Sequence, residues 1–319
     1  MTHESPGAAV PKPQTMGSTE WVLLLVLAGL WGGTFYFYKL LGEELPSFTV
    51  VLGRVGIAAL ALLAIVYLSG QRMPLAPRAW SAFLVMGLLN NIVPFSLIVW
   101  GETRIASGVA AILNATTPLF TVLLAHLFTR DERLSGRKVA GALFGLCGVV
   151  VLIGPSATHG LQLQSVAQLA VLVAALSYGF AGIYGRRFAG QPPLITAAGQ
   201  VSASALVMIP LTLLVDRPWT LAAPSAGGWA ALIALALPCT AVAFVLYFRI
   251  LAAAGAVNLL LVTLLVPIGA LLLGAAFLGE PLTHGGLLGM LLIFIGLAAI
   301  DGRIMAYLGG LRRIPRQAE

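Results

Sequence analysis

The stretch PLFTVLLAHLFTRDERLSGRKVAGALFGLCG, residues 118–148, comes back as PIGALLLGAAFLGEPLTHGGLLGMLLIFIG, residues 267–296. Pro118, Glu132, Leu134, Gly141 and Gly148 align with Pro267, Glu280, Leu282, Gly289 and Gly296. The offset is 149 residues ahead of the Asp131/Glu132 turn and 148 after it, as one inserted loop residue produces. Working outward, each copy holds five apolar stretches long enough to cross hydrocarbon, at about 20 residues per crossing. Because five is odd, the second copy must enter the bilayer from the face opposite the first. Inverted repeats of this kind are an architecture of secondary transporters.

Composition leads to the same place independently. Apolar residues make up 59% of the 319 and charged residues 9%, against about 25% charged in an ordinary soluble domain. So little charge cannot cover a soluble protein of this size. Spans are expected near 20–41, 47–69, 79–100, 106–128, 135–154, 166–188, 193–215, 228–250, 256–278 and 284–305. The expected fold is therefore all-α and integral to the membrane: ten transmembrane helices arranged as two inverted five-helix repeats, 20–154 and 166–305. A polar linker, 155–165, joins them. A disordered cytoplasmic tail, 1–19, carries Pro6, Pro11 and Pro13, and a second cytoplasmic tail covers 306–319. The first apolar run begins near Trp21 and is long enough to span, so no cleavable signal peptide is expected.

Orientation follows from the basic residues. With a cytoplasmic N-terminus, fourteen of the eighteen Lys and Arg fall on inside segments, including Arg72, Arg78, Arg130, Arg133, Arg137, Lys138, Arg186, Arg187 and Arg249. Arg104 and Arg217 lie outside, and Lys39 and Arg54 lie within spans. The positive-inside rule then places both termini in the cytoplasm of a multi-pass protein of the cell inner membrane. The net charge of +7 is explained by orientation. No stacked aromatic platform accompanies the basic residues, and no nucleic-acid partner is expected.

Catalytic chemistry lacks its residues. Cys147 and Cys239 have no partner at ligand spacing, and His3, His126, His159 and His284 form no cluster, so neither a metal nor a cofactor is expected. Walker A, His-Glu-x-x-His and Gly-x-Ser-x-Gly patterns do not occur. The protein is not expected to be an enzyme.

The doubled pattern of a proline-centred helix, a short acidic turn and a glycine-spaced helix (Gly141, Gly145, Gly148; Gly289, Gly296) resembles the EamA repeat of the drug/metabolite transporter superfamily. Trp31-Gly32-Gly33-Thr34 and Arg54 resemble that family too, and the likeness runs from about Glu20 to Tyr307. Ser177-Tyr178-Gly179 replaces Trp31-Gly32-Gly33 in the second copy, and Arg54 has no clear counterpart there. The resemblance implies a ten-helix carrier, similar to YddG-like and threonine/homoserine-type exporters, working by alternating access on amino acids or related small metabolites.

A binding site is expected near the midplane where the halves meet. The offset pairs Asn90 and Asn91 with Cys239 and Thr240, and Asn114 with Thr263, each of the last pair about one turn ahead of Pro118 or Pro267. Proline frees a carbonyl about four residues earlier, which leaves the Asn114 and Thr263 carbonyls to be met by substrate donors or by neighbouring side chains. The polar residues themselves are either substrate contacts or interhelical hydrogen bonds, and their recurrence in both copies favours a site. Trp31 and Tyr178 either form an aromatic wall or pack in the bundle.

Arg54 needs a counter-charge, either a substrate carboxylate or Glu102, because a charge at depth costs roughly 2.5 to 3.5 kcal/mol on insertion scales. Lys39 is expected to snorkel to Glu43 or Glu44. All eleven acidic residues fall in tails, loops or helix ends, so no buried proton relay is evident, and His126 is an interfacial candidate for titration. Gly141, Gly145, Gly285 and Gly289 make small-residue faces for packing within the bundle, a monomer being sufficient. The expected partners are the lipid bilayer and a small-molecule substrate. The alternatives are a broader drug or nucleoside carrier and a non-transport membrane scaffold.

Overall fold

The computed structural model describes residues 17–128, 136–157, 163–188, 190–259 and 261–301. Ten membrane helices follow in order: α1 (Ser18–Glu44), α2 (Ser47–Leu68), α3 (Pro77–Glu102), α4 (Ser107–Phe128), α5 (Gly136–Ala157), α6 (Leu163–Tyr184), α7 (Pro193–Val215), α8, α9 (Val262–Phe277) and α10 (His284–Asp301). α8 runs as Ala226–Ala236, a π-helical Leu237–Val242, then Ala243–Leu259. Seven of these helices are long and apolar enough to cross a membrane by themselves, and shorter apolar segments in α5, α9 and α10 make up the ten. No strand occurs among the described residues. The expected tails lie almost wholly outside the described residues, as do the Asp131/Glu132 turn and Arg303. Of the expected linker, α5 takes up residues to Ala157 and α6 begins at Leu163.

Local chemistry sets the helix ends. Pro77 and Pro193 open α3 and α7, where the missing N–H would have been unpaired anyway. Gly70 and Gly279 turn the chain out of α2 and α9 at φ of 75° and 65°, which only glycine adopts freely. Between the eighth and ninth spans a turn was expected near 251–255, yet the chain stays helical to Leu259. The sequence there, Ala252-Ala253-Ala254-Gly255-Ala256, is dominated by the strongest helix former.

The repeat is visible in the packing. α1 lies on α9 as α6 lies on α4; α8 lies on α1 as α3 lies on α6; α2 faces α7, and α5 faces α10. Exchanging the two halves maps each of these pairs onto another or onto itself. Two departures from regular helix obey the same exchange: α3 is π-helical at Leu88–Ile92 and α8 at Leu237–Val242, at the repeat offset. The prolines do not obey it. α4 breaks between Asn114 and Thr117, ahead of Pro118, whereas α9 carries Pro267 without interruption.

Small residues let the backbones approach. A methyl group on Gly148 would lie 2.7 Å from the Gly289 carbonyl oxygen, and one on Gly296 would lie 2.5 Å from that of Gly141. The glycines of α5 and α10 therefore meet each other within one chain. The register differs from expectation at one point, since Gly285 faces open space and Gly296 takes its place. Gly32 against α9 and Gly179 against α4 make the corresponding contacts elsewhere, 3.0 Å from the Val266 oxygen and 3.2 Å from the Thr121 nitrogen.

At the end of the bundle where α1 finishes, here the distal end, three carboxylates cap helices of the other repeat. Glu44 accepts from the Ser225 N–H and Oγ at 2.8 and 2.7 Å, and Asp216 from the Thr49 N–H and Oγ1 at 2.7 and 2.8 Å. Glu280 accepts from the Ser107 N–H and Oγ, both at 2.8 Å, and from the Gly108 N–H at 3.3 Å. Each satisfies N–H groups that the first helical turn leaves unpaired and places negative charge at the positive end of the helix dipole.

Gly296→Ala must push backbone against backbone and should lower folding stability by about 1–3 kcal/mol. Gly285→Ala should be neutral or mildly stabilising. Thermal denaturation of the purified variants in detergent, followed by the monodisperse fraction that survives heating, checks both.

Candidate functional site

Arg54 sits in the middle of α2 and is 5% exposed. Its Nε donates to Thr240 Oγ1 at 2.8 Å and its Nη1 to the Tyr38 hydroxyl. The guanidinium lies over the Phe95 ring, 3.8 Å from the centroid, and 5.2 Å from that of Tyr38. Four helices thus converge on one cation: α1, α2 and α3 from the first repeat and α8 from the second.

The π-helical turn explains how Thr240 comes to receive that bond. Its hydroxyl donates to the Leu235 carbonyl at 2.8 Å, so the proton is committed and the oxygen lone pairs point away, available to Arg54. Beside it lies the buried Cys239, and Tyr178 on α6 stands within electrostatic reach of both Arg54 and Tyr38. Trp31, one turn before Thr34, packs against Tyr247 of α8 with ring centroids 5.8 Å apart.

Among the described residues Arg54 has no carboxylate partner. Of its five N–H groups two are used, and a guanidinium edge remains that can take a carboxylate in two parallel hydrogen bonds. The expected pairing with Glu102 does not form. Glu102 ends α3, is 0% exposed, and has no hydrogen bond to either carboxylate oxygen. Its place at a helix end suggested exposure, but the turn into α4 and the neighbouring helices cover it.

Other expected site residues lie elsewhere. Asn90 and Asn91 ride on the π-helical turn of α3 and face α7, where Asn90 Nδ2 donates to Gln200 Oε1 and Asn91 Nδ2 to Ser204 Oγ, each at 3.0 Å. Ser177 Oγ of α6 donates to the Leu89 carbonyl of the same turn at 2.7 Å. Asn114 closes the first part of α4, and its carbonyl, expected to be free, accepts from Thr117 Oγ1 at 2.8 Å. Thr263 stands half-buried at the start of α9, one turn before Pro267. Lys39 does not reach Glu43 or Glu44: its Nζ donates to the carbonyls of Glu102 and Ile105 at 2.7 and 3.2 Å, groups that the end of α3 and the following turn leave unpaired.

Sequence reasoning missed Tyr38, Phe95, Gln200 and Ser204. The first had a signal, since Trp31, Thr34 and Tyr38 share one helix face at spacings of three and four residues. Gln200 and Ser204, four apart in an apolar helix, had another.

These residues can now be set beside known proteins. A crystal structure superposes on the chain with a TM-score of 0.64 at 24% identity, spanning 89% of this chain and 97% of its own, which shows the fold. The chain is 27% identical to "Uncharacterized transporter YoaV" of Bacillus subtilis, over 84% of this chain and 91% of the relative. It is also 27% identical to "Uncharacterized inner membrane transporter YedA" of Escherichia coli K12, over 82% and 83%. Identity to the "Probable amino-acid metabolite efflux pump" of the same organism is 26%, over 88% and 94%. The EamA-like transporter family matches twice, at residues 19–154 and 165–300. With both halves of the helical bundle matched in this way, the chain belongs to the EamA-like transporter family: it is a membrane transporter of small molecules and not an enzyme.

Proposed function

We propose that this transporter exports amino acids or related small zwitterionic metabolites across the inner membrane by alternating access, with Arg54 receiving the substrate carboxylate. The observation that carries the reading is a buried guanidinium about two turns into α2, held by hydroxyls and aromatic faces with no carboxylate partner among the described residues. A charge at that depth is retained only where it has work to do. The relative named as an amino-acid metabolite efflux pump supports the substrate class, and the one named as an inner membrane transporter supports the location.

In this reading Thr240 and Tyr38 orient the guanidinium, Phe95 stacks beneath it, and Trp31 and Tyr178 form aromatic walls for the substrate's apolar part. Asn90 and Asn91 act as struts between α3 and α7, Thr263 and Pro267 lie in the first turns of the unbroken α9, and the interruption before Pro118 divides α4. The two π-helical turns, at equivalent places in α3 and α8, are the points at which one half rocks against the other; such turns gather at functional sites. The distribution of Lys and Arg supports cytoplasmic termini, which puts the distal end outside the cell.

Arg54→Gln should weaken amino-acid binding roughly ten- to hundredfold, the loss expected for a charge-assisted hydrogen bond of about 1.5–3 kcal/mol. Arg54→Lys should retain part of the affinity. An amine analogue lacking the carboxylate should bind wild type and Arg54→Gln equally. Uptake and counterflow of labelled amino acids in proteoliposomes measure all three; equal amino-acid affinity in wild type and Arg54→Gln would sink the assignment. Nucleoside flux without amino-acid flux would favour the broader carrier, and no flux of any solute would favour a scaffold.

Orientation has its own test. With both native cysteines replaced by alanine, Thr220→Cys should react with an impermeant maleimide on intact cells, and Ser69→Cys only after permeabilisation. The reverse pattern would turn the protein over in the membrane.

A further inference from the structure

Five carboxylates lie at the distal end; Glu43 is exposed, and among the other four one is unlike the rest. Glu44, Asp216 and Glu280 each accept at least two hydrogen bonds from a helix N-terminus. Glu102 accepts none among the described residues, although it is the most deeply covered of the four. Lys39, the cation beside it, spends its ammonium on backbone carbonyls, including that of Glu102 itself. The other groups facing the carboxyl are few. α1 brings Tyr38 together with Lys39, and the turn after α9 brings Glu280. α6 offers Ala167 and Val171 against the preceding Gly101, the first part of α4 has no titratable side chain, and Arg54 of α2 is engaged with Tyr38.

An ionised carboxylate with no donor among the described residues is the form such an enclosure tolerates least, and the negative Glu280 nearby disfavours it further. We propose that Glu102 is a proton-binding site: it carries its proton while the distal end is closed, as here, and gives it up to water at the distal face when that end opens. In the open state water solvates the carboxylate, and the Lys39 ammonium can leave the carbonyls to pair with it. The proton returns from the same face on closure. Acid at the distal face then favours the closed state and alkali the open one, which makes the transport cycle sensitive to pH at the distal face. That last consequence rests on the alternating-access reading above, whereas the protonated carboxyl does not.

The test separates the two. Infrared spectra of the purified protein in an ester-free detergent at neutral pH should contain a carboxylic-acid carbonyl band that vanishes in Glu102→Gln. Glutamine has the shape and neutrality of the protonated acid, so this variant should fold as well as wild type. In Lys39→Met, which lacks the competing cation, the band should persist to higher pH than in wild type. Absence of the band from the wild type, or its survival in Glu102→Gln, overturns the proposal whatever the substrate proves to be. In proteoliposomes Glu102→Gln should keep amino-acid affinity within about twofold of wild type and lose the dependence of flux on distal pH. A variant as pH-dependent as the wild type also overturns it. A protonated Glu102 in a protein that moves no amino acid would leave this site standing and remove the proposed substrate.

Discussion

Within hydrocarbon a chain must satisfy its own backbone, because no water is present to accept or donate. Ten regular helices meet that demand trivially, so the informative places are those where the helix is abandoned. At each of them a side chain closes the gap. Thr117 Oγ1 covers the Asn114 carbonyl at the break in α4, Thr240 Oγ1 covers Leu235 in the π-helical turn of α8, and Ser177 of α6 reaches the Leu89 carbonyl in that of α3. Lys39 serves the carbonyls at the end of α3, and three carboxylates serve the N–H groups that open α2, α4 and α8. The same arrangement includes Arg54, because Thr240 Oγ1 donates to the Leu235 carbonyl and accepts from Arg54 Nε.

A symmetric frame thus carries an asymmetric centre. Helix pairings, π-helical turns and glycine contacts survive exchange of the two halves, but the cation belongs to the first half alone and the helix break accompanies Pro118 and not Pro267. Duplication supplies the mechanics, two similar halves able to rock about a shared centre. Divergence supplies the chemistry.

The number of spans, their doubling and the presence of a charge inside a span were legible in the sequence because each depends on local pattern: apolar length, repeat offset, residue type. What was not legible depends on which helix lies beside which. Lys39 has Glu43 and Glu44 as its near neighbours in sequence and Glu102 and Ile105 as its neighbours in space. Glu102 stands at a helix end, the usual address of a solvated acid, and only the packing of α1 and the turn into α4 encloses it. Asn90 and Asn91 match Cys239 and Thr240 only as equivalent positions of the repeat; of the two readings open to them, substrate contact and interhelical hydrogen bonding, the sequence could not show the hydrogen bonds to Gln200 and Ser204 of α7. At the break before Pro118 the second of the two expected partners is present, a neighbouring side chain, Thr117, three residues on in the same helix.

The distal caps bear on how easily such a molecule changes shape. Each joins a carboxylate to a helix start across the boundary between halves, close enough to water that parting exchanges a protein donor for a solvent one. An exchange of that kind has a net worth of only about 0.5–1.5 kcal/mol per hydrogen bond. Little enthalpy is therefore stored in the seam, and the two shapes can lie within a few kcal/mol of each other. In the proposed cycle, since about 1.4 kcal/mol shifts a two-state population tenfold, the modest binding energy of a small metabolite would be enough to decide which way the protein faces.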